Sequence, residues 1–275
     1  MQIGIVGLGL IGGSLAKACK EKTTHRILGF DRDQMVCAQA LADGAIDEIL
    51  HPVALARCQL VLVALYPQAA VEYICGHGAD FGKDTVVVDC CGVKQAVCPA
   101  CEEAAKTCGF SFIGGHPMAG IEQSGYAFST AGLFQGASMV LTPPADTKPE
   151  TIQRISELCR EIGFDRIQRS TPEEHDRMIA LTSQLAHVLS SAYVKSPTAL
   201  SHAGFSAGSF QDMTRVAKLN EQMWTELFFD NKPALLAELN GLCARLMEYA
   251  DALQQDDRAA MERLLREGRL RKESL

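Results

Sequence analysis

The stretch "IGIVGLGLIGGSLA" near the head of the chain runs an apolar β-type segment into a helical one through Gly7, Gly9 and Gly12. A strand that passes directly through GxGxxG into a helix leaves few folds open. The first glycine permits a tight turn, the second lets backbone N–H groups approach a pyrophosphate, and the third lets helix and strand pack closely. The helix N-terminus adds partial positive charge for an anion. Leu8, Leu10 and Ile11 lie in the same loop and join the glycines as candidate cofactor contacts. "GFDRD" ends the next apolar run and places Asp31 at roughly the 20-residue spacing at which a carboxylate receives the ribose hydroxyls of NAD. That carboxylate would repel a 2′-phosphate, so NAD is expected over NADP, although the neighbouring Arg32 could accommodate the phosphate. "LYP", with Leu65 and Tyr66, follows a later strand and is expected to lie along the cofactor.

The runs "QIGIV", "RILGF", "QLVLVAL" and "TVVVD" are nearly continuous apolar segments, as expected of parallel strands covered on both faces. Helical patterns such as "QAAVEYICGHGA" separate them, and the strand signal continues through "FSFIGG", "GASMVLTP" and "FDRIQRS". The texture then changes. Thr171 as N-cap, Pro172 at the first helical position and Glu174 beyond them form a capping box, after which only helical periodicity is found. The expected architecture is an α/β Rossmann-type N-terminal domain with a parallel-rich sheet, residues 1–170, followed by an all-α C-terminal domain, residues 171–275. A thin helical half of this length leaves apolar faces to cover, which predicts a homodimer formed through it.

Composition narrows the classes further. The chain has 275 residues, a formal net charge of −7 and no apolar run long enough for a membrane span. No basic stripe interleaves with aromatics, so nucleic acid is not an expected partner. The N-terminus lacks the features of a secretory signal, and 11 scattered cysteines read as reduced apolar residues, which predicts a cytoplasmic protein. "CPAC" (Cys98 and Cys101) has no second ligand pair at zinc spacing, so no metal is expected.

One histidine stands out. His116, in "FIGGHPMAG", sits behind two glycines and before a proline, where neither a helix nor an interior strand is comfortable. With "DCCGVK", this segment is expected just past the strand ends, facing the nicotinamide, where a rigidly held imidazole suits general-base work. The run from "GLGLIGGSLA" through "GGHPMAG" to "SQLAHVLSSA", "FQDMTRVA" and "FFDNK" resembles the prephenate and arogenate dehydrogenases of tyrosine biosynthesis, and the resemblance spans essentially the whole chain.

The resemblance implies oxidative decarboxylation of prephenate to 4-hydroxyphenylpyruvate with NAD as hydride acceptor, or of arogenate to tyrosine. His116 matches the family's catalytic histidine. Arg215 and His187 match residues that bind the substrate, and Glu122 matches an acidic residue at the mouth of the site. Gly92 stands where the family often has a serine, and Gln184 where many relatives carry a first histidine, and the resemblance implies that both positions lie at the substrate. On the residues alone, Arg215 reads as a surface ion pair, His187 as a core histidine and Trp224 as core. The rival readings are another NAD(P)-linked dehydrogenase with a Rossmann half and, from a different class, a catalytically inactive NAD-sensing regulator. No fused mutase or regulatory module is expected.

Overall fold

Alternate residues of the apolar runs go to opposite faces of one sheet. In the computed structural model, which describes residues 1–275, Ile3, Ile5, Leu62 and Val88 join one hydrophobic cluster, while Val6, Val61, Val63 and Val87 join the other. Both faces are covered by helices, which is why these strands carry so few polar residues. The strands are β1 (Gln2–Val6), β2 (Arg26–Phe30), β3 (Glu48–Ile49), β4 (Leu60–Val63), β5 (Val86–Asp89), β6 (Ser111–Met118), β7 (Ser138–Thr142) and β8 (Arg166–Arg169). They form one eight-stranded sheet in the order β3-β2-β1-β4-β5-β6-β7-β8. Every pairing is parallel except β6 with β7. The order reverses between β1 and β4, and the crevice at their carboxyl ends is where such sheets take ligands.

Helix α1 (Leu10–Lys22) leaves the glycine loop and packs under the β1–β2 side. The approach is close: a Cβ on Gly12 would stand 1.8 Å from the Gly7 carbonyl oxygen. Gly12→Ala is therefore expected to cost about 1–3 kcal/mol through forced backbone movement, read as a lowered Tm by calorimetry.

Four elements go beyond the sequence expectation: α2 (Gln34–Ala42), the two-residue β3, α3 (Pro52–Leu55) and α5 (Cys98–Cys108). In α5 the "CPAC" thiols of Cys98 and Cys101 are fully buried in the core. Helix α4 (Pro67–Gly76) matches the pattern read for it, and α6 (Pro149–Glu161) lies between β7 and β8.

The placement of His116 differs from expectation. It lies inside β6, opposite Val140 of β7, rather than in a loop beyond a strand. Only Ser111, Phe112 and Ile113 pair with β5. From Gly114 onward β6 pairs antiparallel with β7 alone, so Pro117 sits where one side of the strand has no neighbour and its missing N–H breaks no interior ladder.

After β8 the chain is helical. Thr171 Oγ1 accepts from the Glu174 N–H at 3.1 Å and opens α7 (Pro172–Ile179) as read. The Glu174 carboxylate, however, accepts from the Ser170 hydroxyl at 3.0 Å. A π-helical turn, Ala180–Gln184, joins α7 to α8 (Leu185–Tyr193), widening the turn between His175 and His187. Then come α9 (Gly208–Thr214), α10 (Glu221–Asp230), α11 (Lys232–Gln254) and α12 (Arg258–Glu273). Past the π turn only Leu185, Ser190, Asn231, Leu235 and Ala252 are buried, while Leu236, Leu246, Leu253 and Leu265 are exposed. No helix is long and apolar enough to cross a membrane.

Candidate active site

The loop between β1 and α1 is an anion cradle by construction. Gly7 has φ +84° and its N–H donates to the Phe30 carbonyl at 2.7 Å. No side chain caps α1 at Gly9, no acidic residue stands in its first turn, and a Cβ on Gly9 would meet nothing within 4 Å. The first N–H groups of the helix therefore face open space. Asp31 directly follows β2 beside this loop and accepts from the Leu8 N–H at 2.8 Å and the Asp33 N–H at 3.0 Å. The side chain of Leu8 is buried in the core, whereas Leu10 and Ile11 stay partly accessible. Arg32 is exposed with no ion-pair partner among the salt bridges. Tyr66, also exposed, follows the partly buried Leu65 at the end of β4.

His116 is held by charge and hydrogen bonds from three elements. Its Nδ1 lies 2.9 Å from Nε2 of His175 on α7, and Nδ1 of His175 lies 2.7 Å from an Asp176 carboxylate oxygen. Asp176 also accepts the main-chain N–H groups of Lys94 and Gln95, each at 2.8 Å. The Lys94 ammonium pairs with Asp89 at the end of β5 and donates to the Gly115 carbonyl at 2.6 Å. Lys94, Asp89, His175 and Asp176 are all buried. A Cβ on Gly115 would stand 2.6 Å from the Asp89 carbonyl, so only glycine lets β6 run this close to the pair.

Burial pushes His116 well below the usual histidine pKa, and the neighbouring His175 and the Lys94 ammonium push it the same way. For Lys94, burial works most strongly against the charge, but the Asp89 carboxylate together with Cys91 and Cys98 outweighs it and holds the ammonium above the usual lysine range. The imidazole of His116 is thus kept neutral. Its Nε2 edge faces the space beside Gly92, whose absent Cβ would be 3.8 Å from Nε2 and 3.5 Å from Leu227 of α10.

A second group gathers on the helices. His187 stacks on Trp224 with ring centroids 3.8 Å apart and sets its Nδ1 against the Ser183 carbonyl at 2.9 Å. Burial lowers its pKa, the Ser183 carbonyl opposes this, and the charge of Arg215 lowers it further. Arg215 follows α9, exposed and outside every ion pair, so the pairing that its residue type alone suggests is not formed. Trp224 is half-buried rather than core, and with His187, Lys195 and Phe228 it lines an open cleft of about 300 Å³. Glu122 is exposed on the loop after β6. A larger groove, about 670 Å³, lies among Lys83, Lys106 and Arg154 at the opposite strand ends and touches none of these residues.

Gln184 departs from its expected place at the substrate. It is 1% exposed, donates to the Leu227 carbonyl at 3.0 Å and accepts from Asn231 at 2.8 Å. It braces the start of α11 against the π turn. Sequence reasoning missed His175, Asp176 and Lys94. The capping box located the start of α7, and "HD" in its first turn was the available signal.

Residues 15–167 match the family model described as prephenate dehydrogenase, nucleotide-binding domain, and residues 171–267 the one described as prephenate dehydrogenase, dimerization domain. The chain is 32% identical over 269 residues to the cyclohexadienyl dehydrogenase of Zymomonas mobilis, covering 93% of this chain and 89% of that one. The crystal structure of Synechocystis arogenate dehydrogenase superposes with a TM-score of 0.86 at 26% identity, over 100% of this chain and 99% of that one. That of A. aeolicus prephenate dehydrogenase, in complex with hydroxyphenyl propionate and NAD+, gives 0.85 at 24% identity over 100% and 98%. The glycine loop precedes the matched segments, so its assignment stands on its own geometry. With both halves matched and the fold shared from end to end, the chain belongs to the prephenate dehydrogenase family.

Proposed function

We propose that the protein oxidatively decarboxylates prephenate to 4-hydroxyphenylpyruvate with NAD, and that His116 is the general base. The observation that carries this reading is the setting of the His116 imidazole, one nitrogen engaged by His175 and the other facing the gap beside Gly92. Gly7, Gly9 and Gly12 with the α1 N-terminus suit the pyrophosphate, Asp31 the ribose, and Leu10, Ile11, Leu65 and Tyr66 the flanks of the dinucleotide. Bound there, the nicotinamide supplies the hydride acceptor.

The residues would then act as follows. Nε2 of His116 takes the proton of the ring hydroxyl, whose O–H electrons form a carbonyl as hydride leaves the same carbon. Electrons of the breaking ring–carboxylate bond flow into the ring, carbon dioxide departs, and Nε2 returns the proton to the phenolic oxygen. Arg215 and His187 face the substrate's carboxylates, for which a guanidinium fork suits the geometry. A general base of this kind contributes about 10²–10⁴ in rate, and alignment supplies the rest.

The same reading divides the chain into a cofactor-holding part, residues 1–170, and a helical part, residues 171–275, that pairs with a second copy through Leu236, Leu246, Leu253 and Leu265. A dimer mass by light scattering is the expected result.

Arogenate is the second reading. The exposed carboxylate of Glu122 favours it as a partner for the ammonium that arogenate carries in place of a keto group.

The test is absorbance of the reduced nicotinamide with purified protein, NAD or NADP, and either substrate. Turnover with prephenate and NAD is expected. Arg215→Gln is expected to lower kcat/KM for the substrate by about 10- to 10²-fold, with the KM for NAD unchanged. A folded protein that turns over neither substrate with either nucleotide would sink the proposal.

A further inference from the structure

The nearest neighbours of His116 raise a question the base assignment leaves open: what decides which of its two nitrogens carries the proton. A neutral imidazole can hold its proton on either one, and only the form with a bare Nε2 can accept from substrate. We propose that His175 and Asp176 are positioning residues that clamp His116 in the Nδ1–H tautomer. This inference rests on the base role proposed for His116 above.

The direction of the chain follows from its blind end. Asp176 accepts from the N–H groups of Lys94 and Gln95 as well as from His175. With main-chain donors on both oxygens it serves as a carboxylate acceptor, so Nδ1 of His175 must donate to it. Nε2 of His175 is then bare and accepts, so Nδ1 of His116 donates at 2.9 Å. The lone pair left on Nε2 of His116 points toward the gap beside Gly92. The logic is that of the carboxylate in a Ser-His-Asp triad, which holds an imidazole in its working tautomer.

The other groups around His116 agree with this order. Lys94 and Asp89 approach from the end of β5, Val140 lies opposite on β7, and Leu227 approaches from α10. None of them offers Nδ1 another acceptor, and the Lys94 ammonium disfavours a second proton on the ring. His175 is 2% exposed and Asp176 is 0% exposed, so the chain leads to no solvent. It is a clamp and not a wire, as suits a base that gives its proton back to the product.

The direct readout is ¹⁵N NMR of the imidazoles in the folded wild-type enzyme, with the His116 signals assigned by loss in His116→Asn. The expected result is a protonated Nδ1 and a bare Nε2. In parallel, His175→Leu removes the acceptor and is expected to lower kcat by about 10²-fold, within the range a general base contributes. The KM for NAD should hold. His175→Gln keeps an amide oxygen able to accept, and should recover to within about 10-fold of wild type.

A proton found on Nε2 in the wild type would overturn the clamp. So would His175→Leu turning over within about 3-fold of wild type, or equal losses in the Leu and Gln variants. If His175→Leu does not fold, the wild-type tautomer alone decides. The two levels separate cleanly. An inactive His116→Asn beside a fully active His175→Leu overturns the clamp alone, whereas an active His116→Asn overturns the base as well.

Discussion

His116→Asn is expected to lower kcat with prephenate by about 10²–10⁴ while leaving the fold and NAD binding intact. An asparagine amide can still donate to Nε2 of His175 from roughly the place of Nδ1, so the contact at 2.9 Å keeps a partner and only Nε2 is lost. The pH profile of the wild type carries the same point. The proposed base works when neutral, and its pKa lies well below 6.5, through burial first and then the neighbouring His175 and the Lys94 ammonium. The acid limb of kcat/KM is therefore expected below pH 6.5.

Stability moves in the same window. A histidine whose folded pKa is depressed takes up its proton in the unfolded chain first, so stability present above 6.5 is lost as pH falls toward the folded value. His116→Asn should flatten that part of the stability curve, measured by urea unfolding at several pH values.

Lys94→Met should be the most damaging substitution for the fold. The lysine and Asp89 are both completely buried, and removing the cation strands a carboxylate in the sheet and the Gly115 carbonyl without its donor. Breaking a buried pair from one side costs about 3–5 kcal/mol. That is a large share of the roughly 5–15 kcal/mol that holds a domain together. Adding Asp89→Asn should recover part of the loss, because the stranded charge goes with it. Calorimetry of the single and double variants measures both effects, and equal Tm values for wild type and Lys94→Met would refute the argument. In any of the variant that still folds, loss of the like charge beside His116 should move the acid limb upward.

The parts legible in the sequence were those whose cause is local. The glycine loop and Asp31 show themselves by spacing, and the apolar runs of β1, β4 and β5 by continuity. The Thr171 cap shows itself by residue type. β6 was harder, because Gly114, Gly115 and Pro117 weaken its strand signal and its partner β7 lies across a long loop. Two residues of β3 leave no periodic trace.

The supports of His116 were least legible of all. His175 meets it across 59 positions of sequence and Asp176 meets Lys94 across 82, so no local pattern joins them. His187 and Arg215, which only the resemblance joins in the sequence, lie near enough for the charge of Arg215 to act on His187, while the Gln184 amide is engaged by Leu227 and Asn231.

The split of β6 between two partners has a consequence for how such a site can change. The imidazole is carried by a strand ladder, registered against Val140 by main-chain bonds that are indifferent to side-chain identity. The exposed rim that begins at Ile121 and Glu122 starts only after that ladder has ended. On the function proposed above, the base and the carboxylate at the mouth of the site are thus mounted on separate pieces of backbone. Substitutions along the rim are then expected to retune which substrate is admitted without disturbing the atom proposed to receive the proton.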